Sequence, residues 1–188
     1  MRSLPLRLLV LAPLLGACST PADLGATATP LGAARADQPL PGWVDLFNFA
    51  VLGPGVAGAG QPAMEDFEAL AARGYSAVIN LRKPGESFPA DEAQRAEAAG
   101  LRYTSVPMAV VDFGIEDAWA LDAALRSAPA GSVLIHCGSG NRVGALWGMY
   151  LGLTEGLTPE AAVEAGYRAG MRSPALAERI RASLEGRG

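Results

Sequence analysis

Two cysteines and one histidine in 188 residues leave little material for a metal centre or a disulfide framework. No metal and no other cofactor is expected. Lysine and arginine never cluster, and the formal charge is −4. Nucleic acid, whose phosphates are held by clustered basic side chains, is therefore not an expected partner. A local loop can still bind one small anion inside an acidic protein. Long apolar runs are scarce as well. The run from Leu8 to Leu15 is too short to span a bilayer as a permanent helix. No internal repeat is present.

That short run follows Arg2 and Arg7, and together they read as an export signal. Its end, Leu15-Gly16-Ala17-Cys18, resembles the bacterial lipoprotein processing box. The resemblance implies cleavage before Cys18, lipidation of Cys18 and attachment to a membrane through that lipid anchor. Simple secretion, with cleavage after Ala28, is the alternative. Ser19, standing where inner-membrane lipoproteins carry Asp, resembles the outer-membrane type, so an exported, periplasmic, outer-membrane-anchored protein is expected. Loss of Arg2 and Arg7 with the signal would bring the charge to −6. Cys137 would then be the only thiol in the folded domain, which excludes an internal disulfide and a resolving cysteine.

The expected organisation is a signal peptide over 1–17, a flexible tether over 18–41 rich in Ala, Thr, Pro and Gly, and one catalytic domain over 42–188. Inside the domain a helical stretch, a glycine and a short β-rich run recur. "MEDFEALAARG" (64–74) precedes "SAVINLR" (76–82), "DEAQRAEAAG" (91–100) precedes "LRYTSVPM" (101–108), and "EDAWALDAALRSAPAG" (116–131) precedes "SVLIHC" (132–137). The alternation predicts an α/β fold, a mostly parallel central sheet flanked by helices. Gly74 and Gly100 are placed to close their helices. An earlier strand is expected near "FNFAVLGPGVAGAG". "RVGALWGMYLGL" (142–153) is apolar on nearly every side and predicts a buried helix. Two more helices should start at Thr158-Pro159 and Ser173-Pro174.

"HCGSGNRVG" (136–144) lies where a strand ends and the buried helix begins. Ligands gather at such strand ends, and a helix N-terminus presents free N–H groups and partial positive charge. Gly138, Ser139, Gly140 and Asn141 form a candidate anion-binding loop, with Cys137 at its base as candidate nucleophile and Arg142 as a planar fork for a tetrahedral anion. His136 neighbours Cys137 on a strand and so points to the opposite face. It suits a buried support beneath the loop better than a general base. Asp112, in the loop before the 116–131 helix, is the candidate general acid, with Glu116 and Asp117 as competitors. Asn80 and Arg82 end their strand near the same rim.

"VLIHCGSGNRVGALW" resembles the signature loop of cysteine-dependent phosphatases of the dual-specificity type. A wider set of blocks, over about 43–153, is similar to bacterial phosphatase-like domains of the beta-lactamase-hydrolase-like proteins. These resemblances imply a cysteine-phosphatase-like fold and hydrolysis of a phosphate ester, on an anionic small molecule or a phosphoprotein, through Cys137, Arg142 and Asp112. Two features depart from the phosphatase pattern. Only four residues separate Cys137 from Arg142, a spacing that resembles the rhodanese loop and keeps a sulfurtransferase using a Cys137 persulfide open. Val143 stands where a Ser or Thr is usual, which also leaves open a catalytically weak anion-binding or interaction module.

Overall fold

The computed structural model describes Arg35 and residues 37–186. Cys18, the signal segment and the tether up to residue 34 lie outside the described residues. A tight hairpin, β1 (Ala50–Gly53) and β2 (Val56–Ala59), opens the sheet where one strand was expected. It is followed by α1 (Asp66–Ala72), β3 (Tyr75–Asn80), α2 (Glu92–Ala98), β4 (Arg102–Ser105), α3 (Ile115–Ser127) and β5 (Ser132–His136). The chain then runs through α4 (Asn141–Thr154), α5 (Pro159–Arg168) and α6 (Pro174–Glu185). The sheet order is β1-β2-β5-β3-β4, parallel throughout except for the β1-β2 hairpin.

Local chemistry sets the ends of these elements. At α2, Gly100 takes φ 85°, and the N–H groups of Gly100 and Leu101 donate back to Glu97 and Ala96. That is the left-handed closure expected of a glycine one residue past a helix cap. Thr158 and Ser173 accept from the N–H groups of Ala161 and Leu176, with Pro159 and Pro174 in the first turn. Both helices therefore begin where their hydroxyl caps and prolines predict.

β5 is the central strand, and every one of its residues is buried. Its side chains alternate between two cores, as strand geometry requires. Val133, Ile135 and the following Cys137 pack with α3, α4, α5 and α6. Leu134 packs on the other face with Phe67 and Leu70 of α1 and Ala96 of α2. Each large apolar side chain buried in this way contributes about 1.5–3 kcal/mol.

Helix α4 is buried from Val143 to Tyr150, as its all-round apolar pattern predicts. Its packing against α5 depends on Gly148, where an added Cβ would lie 2.4 Å from the Ala162 carbonyl oxygen. The absence of a side chain there lets the two backbones approach, and α4 is thereby held with its N-terminus under the loop of residues 137–140.

The packed domain extends upstream of the expected boundary at 42. Arg35 is buried and donates to the carbonyls of Gly131 and Leu125, at 2.9 and 3.1 Å. Gln38 accepts from the Gly131 N–H, and Pro39 from the Gly55 N–H. Composition alone placed these residues in the tether, because polar side chains that bind backbone carbonyls leave no apolar period.

Candidate active site

β5 delivers Cys137 to the C-terminal edge of the sheet, and α4 begins four residues later. Cys137 is buried and is the one free cysteine among the described residues. Gly140 makes the turn between them in the left-handed region, at φ 82°, and its N–H points at Cys137 Sγ from 3.1 Å. A Cβ at Gly140 would meet Asn48 Nδ2 at 2.5 Å. The loop is braced from outside: Asn48 Nδ2 donates to the Ser139 and Gly170 carbonyls, and Gln61 N–H donates to the Gly138 carbonyl. Asn141 accepts from the N–H groups of Arg172 and Ser173. Gly138 and Ser139 are exposed at the mouth.

Arg142 sits in the first turn of α4 and is gripped on one edge. Its Nη1 and Nη2 donate to the two Glu86 carboxylate oxygens, each at 2.6 Å, and Nη1 also reaches the Leu81 and Met108 carbonyls. Such a bidentate pair fixes the plane of the guanidinium. The hydrogen bond to Arg142 holds the Glu86 carboxyl down at about 2 despite partial burial. In return Glu86, and secondarily the nearby Cys137, hold Arg142 more firmly protonated than a free guanidinium. Nε–H and the second Nη2 proton remain for an anion in the loop. Sequence reading missed Glu86, because in "KPGESF" it looks like any loop acid until β3 and β5 pair.

His136 turns to the opposite face of β5 from Cys137, as strand alternation requires. It is fully buried, and neither ring nitrogen has a hydrogen-bond partner among the described residues. Glu92 Oε1, 3.3 Å from Nε2, lies off the bonding direction. Burial pushes the imidazole down to about 3, with the positive Arg82 and Arg142 adding to the effect. His136 is therefore neutral near pH 7.

Glu92 belongs to a buried polar network. It accepts from Gln61 Nε2 at 2.7 Å, from the Tyr103 hydroxyl at 3.1 Å and from Asn80 Nδ2 at 3.3 Å, while burial raises its carboxyl above the usual range. Gln61 Oε1 in turn accepts from Arg82 Nη1 at 2.6 Å, and Arg82 Nε lies 3.6 Å from Glu86. A chain of polar contacts thus runs from Glu92, beside His136, through Gln61, Arg82 and Glu86 to Arg142, joining the two ends of the motif beneath the loop. Asn80 and Arg82, expected at the rim, are instead 1% and 9% exposed. Both are buried members of this network, and Arg82 Nη2 also donates to the Ser87 carbonyl.

The loop opens into a cleft of about 430 Å³, bordered by Ser139, Asn141 and Arg142 of the motif and by Met108, Val110 and Val111. Asp112 is exposed on the same segment as Val110 and Val111 and has no partner among the described residues. Its competitor Asp117 is occupied, accepting from the Gly114 N–H at 2.8 Å as a helix cap. Val143 is buried against β2, within reach of Gly58 and Leu52, and adds no polar group to the site.

Comparison with known proteins bears on this arrangement. Curated relatives include beta-lactamase hydrolase-like proteins of Xylella fastidiosa, 39% identical over 95 residues, and of Agrobacterium fabrum, 33% identical over 93 residues. The first match covers 48% of this chain and only 22% of the relative, so the chain spans about a fifth of that protein's length. Among solved structures, a putative phosphatase from Neisseria meningitidis aligns at 23% identity with TM-score 0.63, over 72% of this chain and 98% of the other. P. aeruginosa TpbA in complex with pTyr aligns at 20% identity with TM-score 0.61, over 78% and 92%. Both likenesses show a cysteine-phosphatase-like fold. The model of the beta-lactamase hydrolase-like protein, phosphatase-like domain, matches residues 48–153, the stretch from the Asn48 brace through α4. The chain belongs to that family of phosphatase-like domains.

Proposed function

We infer that this domain hydrolyses phosphate monoesters through a covalent cysteinyl-phosphate. The observation that carries the reading is the pairing of Cys137 Sγ, with a loop N–H aimed at it from 3.1 Å, and an Arg142 fork whose far edge is already clamped by Glu86. Phosphoryl transfer needs a nucleophile and fixed donors around the equatorial oxygens, and this loop offers both.

In the first step the Cys137 thiolate attacks phosphorus. The S–P bond forms, the ester P–O bond breaks, and Asp112 gives its proton to the departing oxygen. Water then attacks phosphorus, the S–P bond breaks, and Asp112 takes up the water proton while inorganic phosphate leaves. Cys137 leaves as thiolate, ready for another cycle. The short loop and the absence of a hydroxyl at Val143 favour a slow second step, so the adduct should accumulate.

The test is intact-mass measurement of the full chain, wild type and Cys137→Ser, after brief exposure to an aryl phosphate or to thiosulfate. The expected result is a phosphoryl adduct and phosphate release, both absent in the variant. A cysteine-dependent gain of one sulfur atom without phosphate release would overturn the reading in favour of sulfur transfer. Anion-dependent stabilisation without adduct or turnover would overturn it in favour of a binding module.

For the whole chain we propose an exported, periplasmic lipoprotein anchored to the outer membrane through Cys18, acting on small anionic esters or phosphoproteins. Support comes from the Leu15-Gly16-Ala17-Cys18 box and Ser19. Incorporation of a labelled fatty acid that disappears in Cys18→Ser is the expected result. Label retained by that variant would exclude lipidation at this position.

A further inference from the structure

Lys83 is the only lysine in the 188 residues, against fourteen arginines. Its side chain is exposed and lines the cleft that Arg142 enters. Its ammonium has no ion pair or hydrogen bond among the described residues. Glu86, a carboxylate that lines the cleft with these two cations, is taken up by both Nη groups of Arg142 and by the Lys83 backbone N–H. One cation of the cleft is therefore neutralised in place, and the other is free.

The cleft is also larger than a phosphoryl group requires. At about 430 Å³ it falls in the range of small-molecule sites, and Val110 and Val111 give it an exposed apolar lining. Val110 and Val111 are 47% and 71% exposed, a cost in water that a substrate's apolar body would relieve on binding. The cleft thus combines an anion loop at its base, an apolar wall and a free ammonium at its rim.

We propose that Lys83 is a second anion subsite, so that the substrate is an aryl phosphomonoester carrying a further negative group on its apolar body. Arg142 and the loop take the phosphoryl group, Val110 and Val111 take the ring, and Lys83 takes the second anion. This rests on the phosphatase reading above but adds a substrate class to it.

The experiment compares kcat/KM for phenyl phosphate and 3-carboxyphenyl phosphate in the full chain and in Lys83→Ala, Lys83→Glu and Lys83→Arg. The ratio between variants cancels the intrinsic reactivity of the two leaving groups. The expected preference for the carboxylated ester is about fivefold in wild type, the scale of one partly exposed charge pair. It should be kept in Lys83→Arg, lost in Lys83→Ala and reversed in Lys83→Glu. Equal slowing of both esters in Lys83→Glu would show general attraction of phosphate and overturn the proposal, as would an unchanged ratio.

If wild type hydrolyses neither ester, the phosphatase reading fails, and binding of the same pair to Cys137→Ser by calorimetry decides the subsite independently. Tighter binding of the carboxylated ester that is lost in a Lys83→Glu, Cys137→Ser double variant supports the subsite, and equal binding overturns it. A parallel arm with a phosphotyrosyl peptide flanked by Glu or by Gln tells a protein-borne ester from a free small molecule. Lys83-dependent selectivity in the peptide arm as well supports a protein-borne ester, and selectivity confined to the small esters supports a free small molecule. An ester ratio independent of Lys83 overturns the subsite in both cases.

Discussion

Replacing Glu86 by glutamine removes the carboxylate that grips Arg142 while keeping the side chain's size. An ordinary glutamate titrates near 4.5, whereas the folded Glu86 is held at about 2. At about 1.4 kcal/mol per pH unit the difference corresponds to roughly 3 kcal/mol of linked stability. Glu86 is 28% exposed, so solvent screening brings the expected cost of Glu86→Gln to about 2 kcal/mol. The sign follows from the depressed carboxyl. Its contribution is fully present above pH 4.5 and is lost as pH falls through 2. The gap in unfolding free energy between wild type and Glu86→Gln, from urea titrations, should therefore be full at pH 7 and fall to roughly 60% of that value by pH 3.5. Groups common to both proteins cancel in the difference. A gap independent of pH, or no gap at pH 7, would refute the claim that this ion pair is the main perturbation at Glu86. Oxyanion affinity should fall alongside, because a guanidinium released from its clamp must be ordered anew by each ligand.

Gly148→Ala should destabilise by about 1–3 kcal/mol in urea titration, since its Cβ would meet the Ala162 carbonyl oxygen at 2.4 Å and drive α4 from α5. Asp112→Asn should leave the unfolding midpoint within about 0.5 kcal/mol of wild type, its side chain being exposed and unpartnered, yet slow hydrolysis of esters with poor leaving groups about a hundredfold or more in steady-state assays. The imidazole of His136, the only one in the chain, should show no titration by NMR between pH 5 and 8, because burial holds it neutral down to about 3. Because the unfolded chain takes up a proton that the folded one refuses, His136 leaves stability unchanged above pH 6.5 and lowers it as pH falls from 6.5 toward 3. A resonance moving with a midpoint near 6.5 would contradict the buried environment.

The expected elements and the observed ones differ mainly at their ends and at the N-terminus. Gly100, Thr158-Pro159 and Ser173-Pro174 mark helix ends through bonds spanning a few residues, and these are legible because the chemistry is local. The apolar run of β5 and the apolar faces of α4 announce burial for the same reason. The hairpin of β1 and β2 was compressed into one expected strand, since small residues such as Gly58 and Ala59 carry little pattern.

The opposite facing of His136 and Cys137, and the approach of Cys137 to the start of a helix, follow from strand alternation and from spacing along nine residues. Those features the sequence determines by itself. The Glu86 clamp, the Gln61 bridge, the Asn48 brace and the placing of Lys83 on the cleft are different in kind. They depend on β3 pairing with β5 so that Asn80 lies opposite His136, which carries the loop after β3 to the mouth of the loop after β5. Partners 56 residues apart, as Glu86 and Arg142 are, leave no periodic trace, because their pairing is set by sheet order and register and not by the local backbone. The arrangement of charge around Cys137 was decided only when the sheet assembled.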